Sequence, residues 1–244
     1  MSPFRFLIAG LLLVTLIGTA QAQSLQEVFL KGNIAYGNGD YREAERFYRQ
    51  VLQEARSPEI HYNLGNALAQ QGQWSEAAFH YMKAYSLNPN MESARDNLRL
   101  AANRMGLESD YPDLAWPARW FSGREYTTFA AIFFWGALIF LFHGDFIRYR
   151  IPFSKALGTV CILVTLVSIA GAIQHKLFRD WAIVSSSVVS LRVAPTESSP
   201  GESVLIKGDP VRILGEQKGF FHVITSSGSE GFILPEEAYQ LGKD

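Results

Sequence analysis

Residues 127–142 read TTFAAIFFWGALIFLF, and residues 156–174 read ALGTVCILVTLVSIAGAIQ. Neither stretch contains Asp, Glu, Lys or Arg, and each approaches the roughly 20 apolar residues that a helix needs to cross a hydrocarbon core of about 30 Å. Both are apolar on all sides rather than along one face, which favours lipid contact over a buried core hairpin of a globular protein. They predict a hairpin of two membrane-spanning helices, at residues 127–147 and 156–175.

The segment between the two predicted spans is short and basic. It carries Arg148, Arg150 and Lys155 against Asp145, and short basic loops stay on the cytoplasmic side. Basic residues also lie beyond the other ends of both spans, which reduces the difference in positive charge between the two sides of the membrane. Residues 148–155 are therefore a predicted cytoplasmic loop.

The N-terminus predicts the same orientation. Arg5 precedes an apolar run over residues 6–18, and Ala20-Gln21-Ala22 has the A-x-A pattern of a cleavage site. Residues 1–22 are thus a predicted signal peptide, and residue 23 onward would be exported even if this segment stayed as an anchor. The chain is a predicted two-pass protein of the inner membrane, with the regions before and after the hairpin facing the periplasm.

Residues 25–105 repeat with a period of 33. The corresponding pairs are Gly32 and Gly65, Asn33 and Asn66, Gly39 and Gly72, Ala44 and Ala77, and Tyr48 and Tyr81. A fixed period in this range is typical of stacked helical hairpins. Small residues let the two helices of a hairpin approach closely, and glycine supplies the left-handed backbone of a tight turn between them.

These motifs resemble the tetratricopeptide repeat. The second copy has nearly the full motif, at Leu64, Gly65, Leu68, Gly72, Ala77, Tyr81, Ala84 and Pro89. The first copy has Lys31 where leucine is usual. A third helix, Met91–Met105, is typical of the cap that a solenoid end requires. The predicted repeat domain covers residues 23–106, as two repeats plus a capping helix.

The resemblance implies binding rather than catalysis, in a concave groove lined by the first helix of each hairpin. The candidate protein-binding residues are Phe29, Asn33, Tyr36, Tyr62, Asn63 and Asn66. Asparagine amides can hydrogen-bond an extended peptide backbone, although a solvated face or local capping is the alternative. The family's carboxylate-binding subtype also needs basic residues, and this chain has Phe29, Ser93 and Asn97 there, so a C-terminal carboxylate is not the expected ligand.

A predicted juxtamembrane linker covers residues 107–126 and is rich in aromatic residues. Amphipathic rings collect in the headgroup zone, and packing beneath the repeat cap is the alternative. The aromatic residues are Trp116, Trp120, Phe121 and Tyr126, with Phe178 and Trp181 after the second span. Small residues on the spans (Gly136, Ala137, Gly158 and Gly171) are candidates for helix contacts between proteins.

The last segment, residues 180–244, alternates short apolar runs with Gly/Pro turns, which predicts a small barrel. The predicted strands are Ala182–Val184, Val188–Val193, Ser203–Lys207, Val211–Glu216, Phe220–Thr225 and Gly231–Ile233. Leu191-Arg192-Val193-Ala194-Pro195 and Lys207-Gly208-Asp209-Pro210-Val211 resemble motifs of the bacterial SH3-like domain. Phe220 and Phe232 replace its usual tryptophans and lose the indole N–H donor, which disfavours carbohydrate binding. Arg192 is placed either at the groove mouth or in a surface salt bridge.

No motif predicts chemistry, so the chain is interpreted as non-enzymatic, without a cofactor or metal. The five histidines show no metal-ligand spacing, and Glu236-Glu237 is interpreted as a solvated pair. A net charge of −1 gives no reason to expect a nucleic-acid partner.

The predicted fold class is a multidomain membrane protein, with an all-α tetratricopeptide repeat solenoid, a two-helix transmembrane hairpin and an all-β SH3-like small barrel. This order resembles the E component of the Bat (Bacteroides aerotolerance) proteins. The resemblance implies partners among membrane proteins with von Willebrand A domains and a MoxR-type ATPase, in oxidative-stress tolerance or envelope maintenance. The predicted function is a scaffold that binds protein partners; the alternative is a tether that binds peptidoglycan and recruits an envelope enzyme.

Overall fold

The computed structural model describes residues 24–107, 111–114, 118–146 and 154–242. The predicted signal peptide, Trp116 and the loop residues before position 154 lie outside the described residues. Within them, the predicted fold class is confirmed: a helical repeat region is followed by two long apolar helices and an antiparallel sheet. The chain divides into two compact units between Gln73 and Trp74, and each unit is described by itself.

The first unit contains three helices: α1 at residues 24–37, α2 at Tyr41–Leu52 and α3 at Pro58–Gln70. The turn between α1 and α2 uses Gly39 in the left-handed conformation, with φ of 85°, as the sequence predicts. Ser57 caps α3 by accepting a hydrogen bond from the backbone N–H of Glu59 at 3.2 Å, and proline suits the first helical position that follows.

Close packing in this unit depends on Gly32. A Cβ atom added there would lie 2.7 Å from Cε1 of Tyr48, so only glycine lets the ring of Tyr48 lie against α1. Tyr48 is 1% exposed. The unit's buried apolar side chains are Ala35, Ala44, Tyr48, Val51, Ile60, Leu64, Ala67 and Leu68.

The second unit begins with α4 at Trp74–Leu87 and α5 at Glu92–Met105. The helix α5 ends at Gly106, which has φ of 73°, a common way for a helix to stop.

Two apolar helices follow, α6 at Gly123–Phe146 and α7 at Ser154–Arg179. Both are long and apolar enough to cross a membrane, over Gly123–Phe142 and Ser154–Arg179, and most of each window is exposed rather than buried. This pattern suggests a membrane anchor, because a core helix of a soluble protein would be covered.

The face of α7 that packs against α6 is small and polar, while its large apolar side chains point outward. The buried residues are Gly158, Cys161, Thr165, Ser168, Gly171, His175 and Phe178. A Cβ atom at Gly158 would lie 2.8 Å from Leu141, and one at Gly171 would lie 2.8 Å from the ring of Tyr126. The prediction that these small residues serve contacts between proteins is therefore wrong for both glycines, since they close the hairpin within one chain.

Aromatic residues near the ends of the spans are divided between two environments. Phe178 is 3% exposed and packs edge-on against Tyr85, with ring centroids 5.8 Å apart. Tyr126 is also buried, so the packing alternative holds for both residues. Trp120 is 56% exposed, as a headgroup position requires. His175 links α7 to the segment before α6, since its Nε2 lies 2.9 Å from the carbonyl oxygens of Ala118 and Phe121.

The C-terminal sheet has seven antiparallel strands in the order β3-β2-β6-β5-β4-β1-β7. Their bounds are β1 Trp181–Val184, β2 Val188–Arg192, β3 Gly201–Ile206, β4 Pro210–Gln217, β5 Phe220–Thr225, β6 Glu230–Ile233 and β7 Ala238–Gln240. A tight turn at Lys218 and Gly219, both with positive φ, joins β4 to β5, as two-residue hairpins require. The strand β7 is absent from the sequence-based prediction.

The barrel packs directly against α4. Ser75 donates to the carbonyl oxygen of Val184 at 3.1 Å, and the buried Nζ of Lys83 donates to that of Leu241 at 2.6 Å. Between them along the same helix face, the ring of Phe79 lies 5.4 Å from that of Tyr239. Because α4 and the barrel touch, they lie on the same side of any membrane that α6 and α7 span.

Candidate functional site

A cavity of about 290 Å³ lies in the first unit, on the face formed by α1 and α3. It is lined by Asn33, Tyr36, Tyr48, Asn63 and Asn66. Four of these are predicted site residues. The period of 33 places an asparagine at the same position of each helix, so the two helices present their amides to one space.

A short hydrogen-bonded chain fixes the asparagines. The Oδ1 atom of Asn33 accepts a hydrogen bond from the Tyr48 hydroxyl at 2.9 Å and another from Nδ2 of Asn63 at 3.2 Å. Among the residues that the structure describes, Nδ2 of Asn33 and Oδ1 of Asn63 have no partner. The pair therefore offers a free amide NH2 group and a free amide oxygen, which can pair with the acceptor and the donor of a peptide unit.

The other two predicted residues lie outside the cavity lining. The ring of Phe29 packs against Tyr48 with centroids 5.9 Å apart, so it supports the ring that holds Asn33. Tyr62 is half-buried on α3 and interacts electrostatically with Tyr36. Both contribute to the surroundings of the cavity rather than to its wall.

Burial keeps the cavity's two phenols neutral. It raises the pKa of Tyr48 from 10.0 to about 12, with a smaller contribution from Tyr36. Burial also raises the pKa of Tyr36, against a hydrogen bond with Gln70 that lowers it. None of the described residues that line the cavity is charged, so it suits an uncharged, hydrogen-bonding ligand.

We expect Tyr48→Phe to lower the free energy of unfolding by about 1 kcal/mol at pH 7, because it removes one buried hydrogen bond. The folded-state pKa of Tyr48 is raised, so its stabilising contribution is complete below pH 10 and is lost as pH rises toward 12. The stability gap between wild type and variant should therefore shrink above pH 10. Denaturant unfolding of the full chain in detergent between pH 7 and 11 measures this gap, and a constant gap would contradict the assignment.

On the barrel, Arg192 forms a two-pronged salt bridge with Glu237, at 3.0 and 3.3 Å. Glu237 also accepts a hydrogen bond from the backbone N–H of Leu234 at 2.6 Å. The interpretation of Glu236-Glu237 as a solvated pair is therefore wrong for Glu237, and Arg192 takes its salt-bridge alternative. Its two-pronged geometry fixes the turn after β6 against β2.

The two phenylalanines that replace the usual tryptophans also contact other side chains of the barrel. Phe220 is 7% exposed, below the guanidinium of Arg192, and Phe232 stacks on His222 with ring centroids 4.9 Å apart.

Within the described part of the chain, no group of three or more His, Cys, Asp or Glu residues could hold a metal ion.

Tyr48 is the site residue that sequence reasoning missed. Its repeat partner is Tyr81, and the repeat pattern marks both tyrosines without assigning either of them to the site. The sequence held one signal for this role. Tyr48 lies on the helix that follows Asn33, and Gly32 on α1 leaves room for the ring of Tyr48.

Comparison with known families agrees with this architecture. Residues 29–92 match the family model of the tetratricopeptide repeat, and residues 187–238 match that of the bacterial SH3 domain. No curated protein matches the chain. The chain thus contains a tetratricopeptide repeat region and a bacterial SH3 domain, and these modules suggest a protein-binding or cell-wall-binding role.

Proposed function

We propose that this protein is a non-enzymatic, membrane-anchored scaffold whose repeat groove and SH3-like barrel bind protein partners in an envelope complex. The observation that carries the proposal is the chain Tyr48–Asn33–Asn63, which leaves an amide NH2 group and an amide oxygen free in an uncharged cavity. An extended peptide segment supplies the complementary pair at each residue.

The uncharged lining supports an internal peptide segment as the ligand rather than a chain terminus. A C-terminal carboxylate would need a cationic partner to offset its desolvation. Tyr36 offers an aromatic wall beside the amides, which suits a ligand with apolar side chains.

The two apolar helices support an anchor in the inner membrane. Because α4 contacts the barrel, the contact supports an even number of membrane crossings by the chain between α4 and the barrel. Together with the basic loop and the N-terminal segment, this favours an arrangement in which both binding modules face the periplasm.

The partners we propose come from the resemblance to the E component of the Bat proteins. They are membrane proteins with von Willebrand A domains and an associated MoxR-type ATPase, and the process is oxidative-stress tolerance or envelope maintenance. A scaffold that lies on the outer face could hold an exported segment of such a membrane protein.

The test is the release of a partner by Tyr62→Ala with Asn63→Ala. In detergent extracts, wild type should co-purify with a protein that mass spectrometry identifies as carrying a von Willebrand A domain. The double variant should retain less than about a tenth of it, because hydrogen-bonding and aromatic groups are lost together. The control, Gln50→Ala with Gln53→Ala, changes two exposed residues at the end of α2 and should retain the partner. Equal recovery with all three proteins would contradict the scaffold.

The bacterial SH3 match also supports the alternative, a tether to peptidoglycan. The scaffold predicts that the full chain in detergent does not sediment with purified cell-wall sacculi. Sedimentation that persists in Tyr62→Ala with Asn63→Ala would favour the tether.

A further inference from the structure

A second cavity, of about 160 Å³, lies within the second unit. It is bounded by the end of α4, by α5 and by the segment at residues 111–113. Its charged lining residues are Arg95, Arg99 and Asp113. It contains none of the groove residues described above.

The two arginines have unused hydrogen-bond donors. The buried Nε of Arg95 has no hydrogen-bond partner among the described residues, and its nearest acidic atom is Oδ1 of Asp96 at 3.7 Å. Arg99 lies 3.8 Å from carboxylate oxygens of both Asp96 and Asp113. These separations are too long for hydrogen bonds. The buried Nε atom of Arg95 therefore lacks an acceptor, while the exposed guanidinium group of Arg99 is open to solvent or to a ligand.

The acidic residue in the lining is already neutralised. One carboxylate oxygen of Asp113 accepts a hydrogen bond from the Tyr85 hydroxyl at 2.6 Å, and the other is paired with Arg119. The hydroxyl of Tyr111 is likewise engaged, since it donates to the carbonyl oxygen of Gly208 at 2.6 Å. The group of the lining without a partner is the buried Nε atom of Arg95, and the accessible guanidinium group of Arg99 lies in the same lining, so the cavity suits an anion.

Contacts from the cavity wall reach the ends of both apolar helices. Arg119, which holds Asp113, is four residues before Gly123, where α6 begins. Tyr85 packs against Phe178, in the last turn of α7. The cavity therefore lies at the level where both apolar helices end, which in a bilayer is the layer of lipid phosphates.

We propose that this cavity binds the phosphodiester headgroup of an anionic phospholipid. A phosphodiester carries a single negative charge. Among the described residues of these ion pairs, Arg95, Arg99 and Arg119 leave an excess of one positive charge over Asp96 and Asp113, which matches it. Guanidinium forks bind phosphate oxygens in pairs, with better geometry than an ammonium group. Occupancy would fix the cap helix α5 against the membrane surface.

The test uses the full chain in an uncharged maltoside detergent, titrated with phosphatidylglycerol and followed by native mass spectrometry. Wild type should bind one molecule tightly, and Arg95→Gln with Arg99→Gln should bind it at least about tenfold more weakly. Arg42→Gln with Arg46→Gln removes two exposed arginines of α2 and is the charge-matched control, which should bind like wild type.

Arg95→Lys with Arg99→Lys keeps both positive charges but removes the paired hydrogen bonds of the guanidinium groups. It should show an intermediate affinity. This result would separate the contribution of guanidinium geometry from that of charge, and both from misfolding. Inorganic phosphate should compete only at far higher concentration, because it lacks the acyl chains. Phosphate binding as tight as lipid binding would overturn the lipid assignment in favour of free phosphate. Equal lipid affinity in wild type and the glutamine variant would overturn the site.

Discussion

Gly32→Ala should lower the free energy of unfolding of the repeat unit by about 1–3 kcal/mol, the usual cost of forcing extra volume into a packed core. The added methyl group would lie 2.7 Å from Cε1 of Tyr48 and 3.3 Å from Cβ of Phe47. The ring of Tyr48 is rigid and buried, so it must move as a whole. Its hydroxyl would then leave Asn33, and the groove would lose its fixed geometry.

Gly37→Ala is the matched control, since it lies on the same helix with no atom within 4 Å of the added Cβ. It should be neutral or stabilise by up to about 1 kcal/mol, because alanine restricts the unfolded chain. Hydrogen exchange of α1 to α3 in the full chain measures both effects. Similar changes at the two positions would refute the packing role of Gly32.

Loss of groove geometry in Gly32→Ala should also release the partner that Tyr62→Ala with Asn63→Ala releases. The new methyl group would meet Tyr48, which lines the cavity, so its effect would pass through Tyr48 to Asn33. If the variant is less stable but retains the partner, then binding does not depend on the hydrogen bonds that join Tyr48, Asn33 and Asn63.

Gly231→Ala should destabilise the barrel by about 3 kcal/mol, at the upper end of the overpacking range. The new Cβ atom would lie 2.8 Å from the backbone carbonyl oxygen of Arg192 and 2.5 Å from Cγ of Leu191. A backbone atom cannot move without disturbing the pairing of β2 with β6 at Arg192 and Phe232. The salt bridge from Arg192 to Glu237 depends on the same strand position.

The control for this change is Gly215→Ala on β4, where a Cβ atom meets nothing within 4 Å. It should change stability by less than about 0.5 kcal/mol. Hydrogen exchange of the barrel strands at increasing denaturant concentration reports barrel unfolding. Equal midpoints for the two variants would show that β6 does not pack on β2 as described.

Local patterns predicted most of the secondary structure. The repeat period located the turn at Gly39 and the end of α4 before Pro89, and the strand Phe220–Thr225 has the bounds that its alternation predicts. The strand β7 was missed because Ala238-Tyr239-Gln240 is too short to show a period. The helix α6 begins before its predicted start at residue 127, and α7 extends beyond both of its predicted bounds, since the charged ends of these helices do not count toward an apolar window.

Contacts between distant segments were not predictable in the same way. Ser75 and Val184 are 109 positions apart, and neither residue type indicates a partner. The partner of Glu237 was missed for the same reason. Asn33 and Asn66 could be predicted because they recur with the repeat, whereas Tyr48 enters the site only through its packing against Gly32.

Cysteine labelling from outside the cell tests the central claim, that both binding modules face the exterior from one membrane hairpin. In a Cys161→Ala background, single cysteines replace Gln53 at the end of α2, Ser226 in a barrel turn, and Arg150 in the predicted cytoplasmic loop. Gln53 and Ser226 are exposed. The scaffold predicts that a membrane-impermeant maleimide labels the first two in intact spheroplasts, and labels position 150 only after permeabilisation. Protection of either module before permeabilisation, or labelling of position 150 without it, would contradict the account.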